Sequence, residues 1–158
     1  MYLIGFESSC DETAASVLRV EDGKLTVLSD IIASQVETHR RFGGVVPEIA
    51  GRAHIEAISR ITYEALSVAG IEPDALDCVA VTSHPGLIGA LLVAVNFAKS
   101  FALSYRLPLV EVDHMRAHIA AAYLTGTPPK PPFLAMAVSG GHTSIYYVAD
   151  YTDYRLIA

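Results

Sequence analysis

A chain of 158 residues has room for one full domain with a sizeable core and is short for two. At 52% hydrophobic and 18% charged residues, with a mean hydropathy of +0.39, it is apolar for a soluble monomer and predicts a face meant to be covered. A formal charge of −6 argues against a large nucleic-acid footprint made by this chain alone, and two cysteines, Cys10 and Cys78, exclude a disulfide framework and fit a reducing cytoplasm.

No basic leader with a cleavage-like site opens the chain, and Asn96 and Lys99 interrupt the longest apolar run before the ~18 residues of a membrane span, so no membrane partner is expected. Tyr2 to Phe6 is an apolar run that reads as a buried strand. It stops at Glu7-Ser8-Ser9-Cys10-Asp11-Glu12-Thr13, a small-residue, acidic turn. Ala14 to Val20 resumes as a strand, Glu21-Asp22-Gly23 is a hairpin signal, and Lys24 to Leu28 is a third strand. Residues 31–44 follow neither period and carry His39-Arg40-Arg41 before Gly43-Gly44, a bend or loop. Pro47 sits at a first helical position with Glu48 behind it, and Ile49, Ala53, Ala57, Ile61, Ala65 and Val68 mark one face of a helix that stops at Gly70.

Cys78 to Thr82 is a short strand broken by Ser83-His84-Pro85-Gly86. Leu87 to Tyr105 is a long helix, apolar almost all round until Asn96, and is expected to be buried on more than one side. Leu107 to Val112 is a strand that feeds a helix beginning at His114 and ending near Gly126. Residues 127–132, with four prolines, read as an extended linker. The order β-β-β-α-β-α-β-α is an α/β unit with a mixed sheet. After the linker, Phe133 to Val138, the turn Ser139-Gly140-Gly141-His142-Thr143 and Ser144 to Val148 repeat the opening strand–turn–strand. We therefore expect one complete lobe over residues 1–127, a linker at 128–132, and the first strands of a truncated second lobe at 133–158.

Two places carry chemistry. His114 and His118 are four residues apart at a helix start, so their Cβ atoms share a face roughly 5–6 Å apart, and two imidazoles can converge on one metal ion. That is part of a site, since a catalytic metal usually takes about three protein ligands. The two small-residue turns form a candidate phosphate clamp, in which glycine admits close backbone approach and N–H and hydroxyl groups donate. Asp11 and Glu12 would repel a phosphate there unless a cation intervened. His39, His54 and His84 read as surface or satisfied core histidines, and His142 is the further one worth testing. Arg40, Arg41, Arg52 and Arg60 read as solvated charges by default, with a single basic patch as the alternative.

Taken in order, Glu7-Ser8-Ser9-Cys10-Asp11-Glu12-Thr13, Gly43-Gly44-Val45-Val46-Pro47-Glu48-Ile49-Ala50, Pro85-Gly86-Leu87, His114-Met115-Arg116-Ala117-His118 and Ser139-Gly140-Gly141-His142-Thr143 resemble the N-terminal half of the bacterial TsaD family. These are tRNA adenosine threonylcarbamoyltransferases, formerly described as O-sialoglycoprotein endopeptidases or glycoproteases. The resemblance covers essentially the whole chain. It implies an actin-like, sugar-kinase-like ATPase fold with a ribonuclease H-like lobe, and transfer of a threonylcarbamoyl group from threonylcarbamoyl-AMP to adenosine 37 of tRNAs reading codons that begin with A. It implies one divalent metal ion, iron or else zinc, on His114 and His118, and an acyl-adenylate lined by Ala137, Val138, Ser139, Gly140 and Gly141. Asp11 and Glu12 are the groups that could orient or deprotonate the attacking amine. A third metal ligand, an aspartate, and further nucleotide contacts are expected in a C-terminal half. A scaffold paralogue and an ATPase partner protein are the implied companions, with self-association of the chain as a further expectation.

Two positions depart from the family pattern. Asp113 stands where a second histidine is usual and is a candidate partner orienting His114. His84 stands where glycine is usual and either narrows the pocket or points to solvent. A metalloprotease is the first rival, but its helical signature needs Glu directly after the first histidine, where this chain has Met115. A non-catalytic metal-binding or scaffold module of the same fold is the second. A sugar or acetate kinase, which needs no histidine pair, is the third.

Overall fold

The computed structural model describes residues 1–138 and 143–158. Strands β1 (Tyr2–Glu7), β2 (Glu12–Glu21) and β3 (Lys24–Ser34) form an antiparallel meander. On its other edge β1 pairs in parallel with β4 (Cys78–His84), and β4 pairs in parallel with β5 (Leu109–Asp113). The strand order is β3-β2-β1-β4-β5, the expected mixed sheet. Strand β3 runs to Ser34, past the predicted end at Leu28. The pairing steps from Val17↔Ser29 to Leu18↔Val27, so Leu28 is an extra residue in a bulge. The bulge inverts the phase of side-chain alternation: Thr26 and Leu28 face inward before it, and Ser29, Ile31 and Ala33 after it.

Helix α1 (Val36–Arg40) is a single short turn. Helix α2 (Pro47–Ala69) starts with Pro47 in its first turn and ends at Gly70, whose left-handed φ of 69° lets its N–H close on the carbonyls of Leu66 and Ser67. The buried stripe of α2 is Ala50, His54, Ile58, Ile61, Thr62, Ala65 and Leu66. It shares Ile61 and Ala65 with the predicted face but is rotated, because His54 belongs to the core through its hydrogen bonds, and Val68 is exposed.

Helix α3 (Ile88–Tyr105) lies against β4 and β1 and packs beside α2. Its buried residues are Ala90, Leu91, Ala94, Ala98 and Ala102, small side chains that let the helix approach closely. Phe97 and Phe101 stand edge-on to Phe6 at 5.4 and 6.1 Å. Within this chain Ile88 and Leu103 are 75% and 80% exposed, so α3 is buried on one side and not on several. It is also the one described helix with the length and apolarity of a membrane span, by composition alone; here it serves as a core helix of the α/β layer. One apolar cluster unites Ile4, Phe6, Ala15, Val17, Val79 and Val81 of the sheet with Ile58, Ile61, Ala94 and Ala98 of the helices. Each fully buried aliphatic side chain such as Ile4 or Ile61 stabilises the fold by about 1.5–3 kcal/mol.

The chain divides into two compact units, Met1–His114 and Met115–Ala158. Helix α4 (His114–Ala120) carries the division and is followed by a 3-10 turn, Ala121–Leu124. The second unit holds an antiparallel sheet of β6 (Phe133–Val138), β7 (Thr143–Asp150) and β8 (Asp153–Leu156) in the order β6-β7-β8, the same meander as β1 to β3. The proline-rich residues 128–132, expected as the linker, fall inside this unit. Tyr123 before them packs edge-on to Phe133 at 6.2 Å and against Tyr151 at 5.3 Å after them.

Candidate active site

Parallel pairing of β1, β4 and β5 brings their carboxyl ends side by side, the edge where open α/β sheets hold ligands. Glu7 ends β1, His84 ends β4 and Asp113 ends β5, with His114 directly after it. The acidic turn leaves β1 at this edge and is held from four directions. The Ser8 hydroxyl donates to the Ala90 carbonyl at 2.7 Å. The Ser9 carbonyl accepts from Leu87 N–H at 2.8 Å. The Cys10 carbonyl accepts from His54 Nε2 at 3.1 Å, and the Asp11 carbonyl from Gln35 N–H at 3.0 Å. Gly86 makes the second of these possible, since a Cβ there would stand 2.6 Å from the Ser9 carbonyl oxygen.

This pinning corrects one expectation. Ser8 and Thr13 are fully buried, with Ser8 bound to Ala90 and Thr13 Oγ1 at 2.8 Å from His54 Nδ1, so these hydroxyls serve the scaffold and not a phosphate. What the turn presents outward is carboxylate. Asp11 is half-buried, and Glu12 is exposed as the first residue of β2, opposite Ser34. Cys10 is exposed, but burial of its sulfur and the adjacent Asp11 push its thiol above the ordinary range, so it is no activated nucleophile.

Glu7 is the hub of the site. Its Oε1 accepts from Ser9 N–H, and its Oε2 lies 3.2 Å from His114 Nδ1. Hydroxyls of Ser9 and Thr82 bond it as well. Burial alone would raise the carboxyl, but the hydrogen bonds from His114, Ser9 and Thr82 outweigh it and hold the group at about 2. The same contact, led by the Glu7 hydrogen bond, raises His114 above the ordinary histidine value. Asp113 Oδ2 lies 3.4 Å from His84 Nε2, and His84 Nδ1 is 2.7 Å from Ser83 Oγ. The two positions that depart from the family pattern therefore face each other across β4 and β5, where His84 is the register partner of Asp113.

His118 lies one turn along α4 from His114 and is exposed, while Met115 and Ile119 are the buried residues of that helix. A histidine with Nδ1 on a carboxylate, as His114 has on Glu7, suits one position of a divalent-metal site. Among the described residues no group of three or more His, Cys, Asp or Glu side chains gathers for such an ion. Ala137 and Val138 end β6, opposite Ser144 and Thr143. Ser139, Gly140, Gly141 and His142 lie outside the described residues. Three of the four arginines considered for a patch are paired on their own helices: Arg40 with Glu37, Arg52 with Glu48, and Arg60 with Glu64. From the sequence, Glu7 and Gly86 were named only as members of the quoted motifs and Thr82 only as a strand end, with no role given to any of them; an acid directly at the end of an apolar strand was the available sign for Glu7.

Residues 26–158 match the family model described as TsaD, tRNA N6-adenosine threonylcarbamoyltransferase. A tRNA N6-adenosine threonylcarbamoyltransferase of Anaeromyxobacter sp. (strain Fw109-5) is 52% identical over 157 residues, covering 99% of this chain and 46% of the relative. One from Clostridium beijerinckii is 50% identical over 98% of this chain and 45% of its own length. The chain thus spans about half the length of these relatives. Among solved structures, YeaZ from Pseudomonas aeruginosa superposes with a TM-score of 0.64 at 15% identity, over 100% of this chain and 66% of that one. The Aquifex aeolicus PPX-GPPA enzyme does so with 0.57 at 15% identity, over 99% and 51%. Both are likenesses of fold, and they place the sheet among actin-like ATPase folds.

Proposed function

The chain belongs to the TsaD family of tRNA N6-adenosine threonylcarbamoyltransferases, and we propose that it supplies the N-terminal lobe for that reaction. The substrates are threonylcarbamoyl-AMP and adenosine 37 of tRNAs reading codons that begin with A. The adenosine N6 forms a bond to the carbamoyl carbon, the bond from that carbon to the AMP phosphate oxygen breaks, and AMP leaves with the electron pair. The amine proton passes to a base.

The observation that carries this reading is the acidic turn, fixed on four sides and set beside His114 at the carboxyl ends of three parallel strands. Glu12 or Asp11 orients the amine and takes its proton. His114 and His118 hold a divalent metal, iron or else zinc, which when bound supplies a Lewis acid for the carbamoyl carbonyl. Ala137 and Val138, with Ser139, Gly140 and Gly141, line the acyl-adenylate, and backbone N–H groups there receive the departing phosphate. A scaffold paralogue and an ATPase partner protein complete the assembly, in the cytoplasm.

The test is expression of a chimera, in which this chain replaces the matching N-terminal part of its Clostridium beijerinckii relative, in cells depleted of their own enzyme, with threonylcarbamoyladenosine read by mass spectrometry of digested tRNA. Restored modification that is lost in His114→Ala/His118→Ala, together with the bound metal, is the expected result. A double variant with undiminished metal content sinks the ligand assignment. The second reading, a non-catalytic assembly module that associates with itself, is favoured by the exposed Ile88, Leu103 and Met136; it predicts no modification from either form.

A further inference from the structure

We propose that His54 is a positioning residue for the transfer: its ring holds the acidic turn at both ends, by the Cys10 carbonyl and the Thr13 hydroxyl, and so fixes where Asp11 and Glu12 stand. The inference deepens the reading above and rests on it for what the two carboxylates do. Their placement by His54 is a property of this chain alone.

The ring meets the turn twice. Nε2 lies 3.1 Å from the Cys10 carbonyl oxygen, which can only accept, so that nitrogen carries a proton. Gln35 Nε2, which can only donate, lies 3.3 Å from Nδ1, so Nδ1 is the bare nitrogen. The Thr13 hydroxyl therefore donates to it as well, at 2.8 Å. Cys10 and Thr13 are the residues on either side of Asp11 and Glu12. Gln35 closes the clamp from the other direction, since its backbone N–H donates to the Asp11 carbonyl at 3.0 Å.

The holds on the turn divide by position. Ser8 and Ser9 tie its entry to Ala90 and Leu87, ahead of the carboxylates. From Cys10 onward the holds come from His54 and Gln35. His54 has no exposed surface, and its buried neighbours on α2 include Ala50 and Ile58. An aliphatic side chain would fill such a place without the cost of desolvating two ring nitrogens. It would also leave the Cys10 carbonyl and the Thr13 hydroxyl without their partner. Asp11 is half-buried and Glu12 exposed, so a shift of this part of the turn moves the groups that face the amine. A misplacement of about 1 Å can cost a reaction about 100-fold.

Two variants separate the ring nitrogens. His54→Gln reaches as far as Nε2 and keeps a donor for the Cys10 carbonyl, whereas His54→Asn reaches only as far as Nδ1. Order of the turn is read on the 15N-labelled 158-residue chain, from the order parameters of the Asp11 and Glu12 amides. Transfer is read as kcat and KM in the chimera with the Clostridium beijerinckii relative. In His54→Asn the order parameters are expected to fall from about 0.85 to below about 0.6 while those of α2 hold. There kcat should fall about 10- to 100-fold, with KM for threonylcarbamoyl-AMP changed by less than about twofold. His54→Gln is expected to keep the turn ordered and to rescue kcat. Unchanged order parameters in His54→Asn overturn the proposal, as does an equal loss of kcat in both variants, the result of a ring that only fills the core. If His54→Asn does not fold, Thr13→Val decides, since it deletes one hydroxyl and keeps the shape. A loosened turn with lower kcat then upholds the clamp, and wild-type values overturn it. A wild-type chimera that forms no threonylcarbamoyladenosine defeats the transferase reading, and the order parameters alone then decide whether His54 places the turn.

Discussion

Gly86 sets the floor of the site by having no side chain. A Cβ at that position would meet the Ser9 carbonyl oxygen at 2.6 Å, its Cβ at 2.8 Å and its Cα at 3.1 Å, all parts of the backbone turn or the atoms next to it. None is the far end of a flexible chain that can swing aside. Gly86→Ala must therefore push the turn away and stretch the 2.8 Å bond from Leu87 N–H to Ser9. The expected loss is about 1–3 kcal/mol, read as a lower urea midpoint. Gly89→Ala, where a Cβ has nothing within 4 Å, should show no such loss. At this scale the place of His114 and His118 on a helix that starts at His114 was legible, because a helix writes its period into local spacing. Glu7 and Gly86 were not, because their partners stand 107 and 77 residues away in sequence, at His114 and Ser9, and strand pairing alone brings them together.

The element that carries the acidic turn is kept in place by hydrogen-bonded histidines. Val46 N–H donates to His39 Nδ1 at 3.3 Å, which makes His39 Nε2–H the donor to Gln35 Oε1 at 3.0 Å. The Gln35 amide then donates to His54 Nδ1 at 3.3 Å, Thr13 adds a hydroxyl at 2.8 Å, and His54 Nε2–H ends the chain on the Cys10 carbonyl. Each step fixes the direction of the next. A second proton on His54 would set Nδ1–H against the Gln35 amide N–H and force the Thr13 hydroxyl to turn from donor to acceptor. Burial lowers the His54 value below 6.5, against raising contributions from the Cys10 carbonyl, Glu7 and Asp11, while His39 lowers it further. The unfolded chain therefore takes up a proton below pH 6.5 that the folded chain refuses, so this contribution to stability is full above that pH and is lost as pH falls. The melting temperature of the wild type should drop between pH 7.5 and 5.5 by more than that of His54→Gln; equal slopes would show that His54 does not titrate this way. The strands and both long helices were readable from their periods. The end of β3 was not, because the bulge at Leu28 reverses the alternation midway, and the buried face of α2 was misplaced because a hydrogen-bonded histidine counts as core.

At the scale of the whole molecule, the high hydrophobic fraction reappears as apolar surface. Ile55, Tyr63 and Val68 of α2, Ile88, Leu92 and Leu103 of α3, and Leu134, Met136 and Val138 of β6 are each half exposed or more. Monomers rarely leave apolar area of this kind uncovered. The sedimentation coefficient of the chain should accordingly rise with concentration, and a single constant value would mean these faces are stable in water.

Chemistry by the chain alone is a separate matter, decided by donor count. Catalytic metal sites hold the ion with about three protein ligands and keep one position open. The described residues gather no group of three candidate donors, and the chain spans 46% of the length of its Anaeromyxobacter relative. Two imidazoles can bind a cation, but they leave it mostly hydrated and poorly placed against a carbamoyl carbonyl. The purified 158-residue chain, given threonylcarbamoyl-AMP, an unmodified tRNA and Fe2+ or Zn2+, should form no threonylcarbamoyladenosine above the chain-free control. Modified nucleoside that appears with the chain and vanishes in His114→Ala would mean that these two histidines and the acidic turn are sufficient for transfer, and that the remaining length of the relatives serves another purpose.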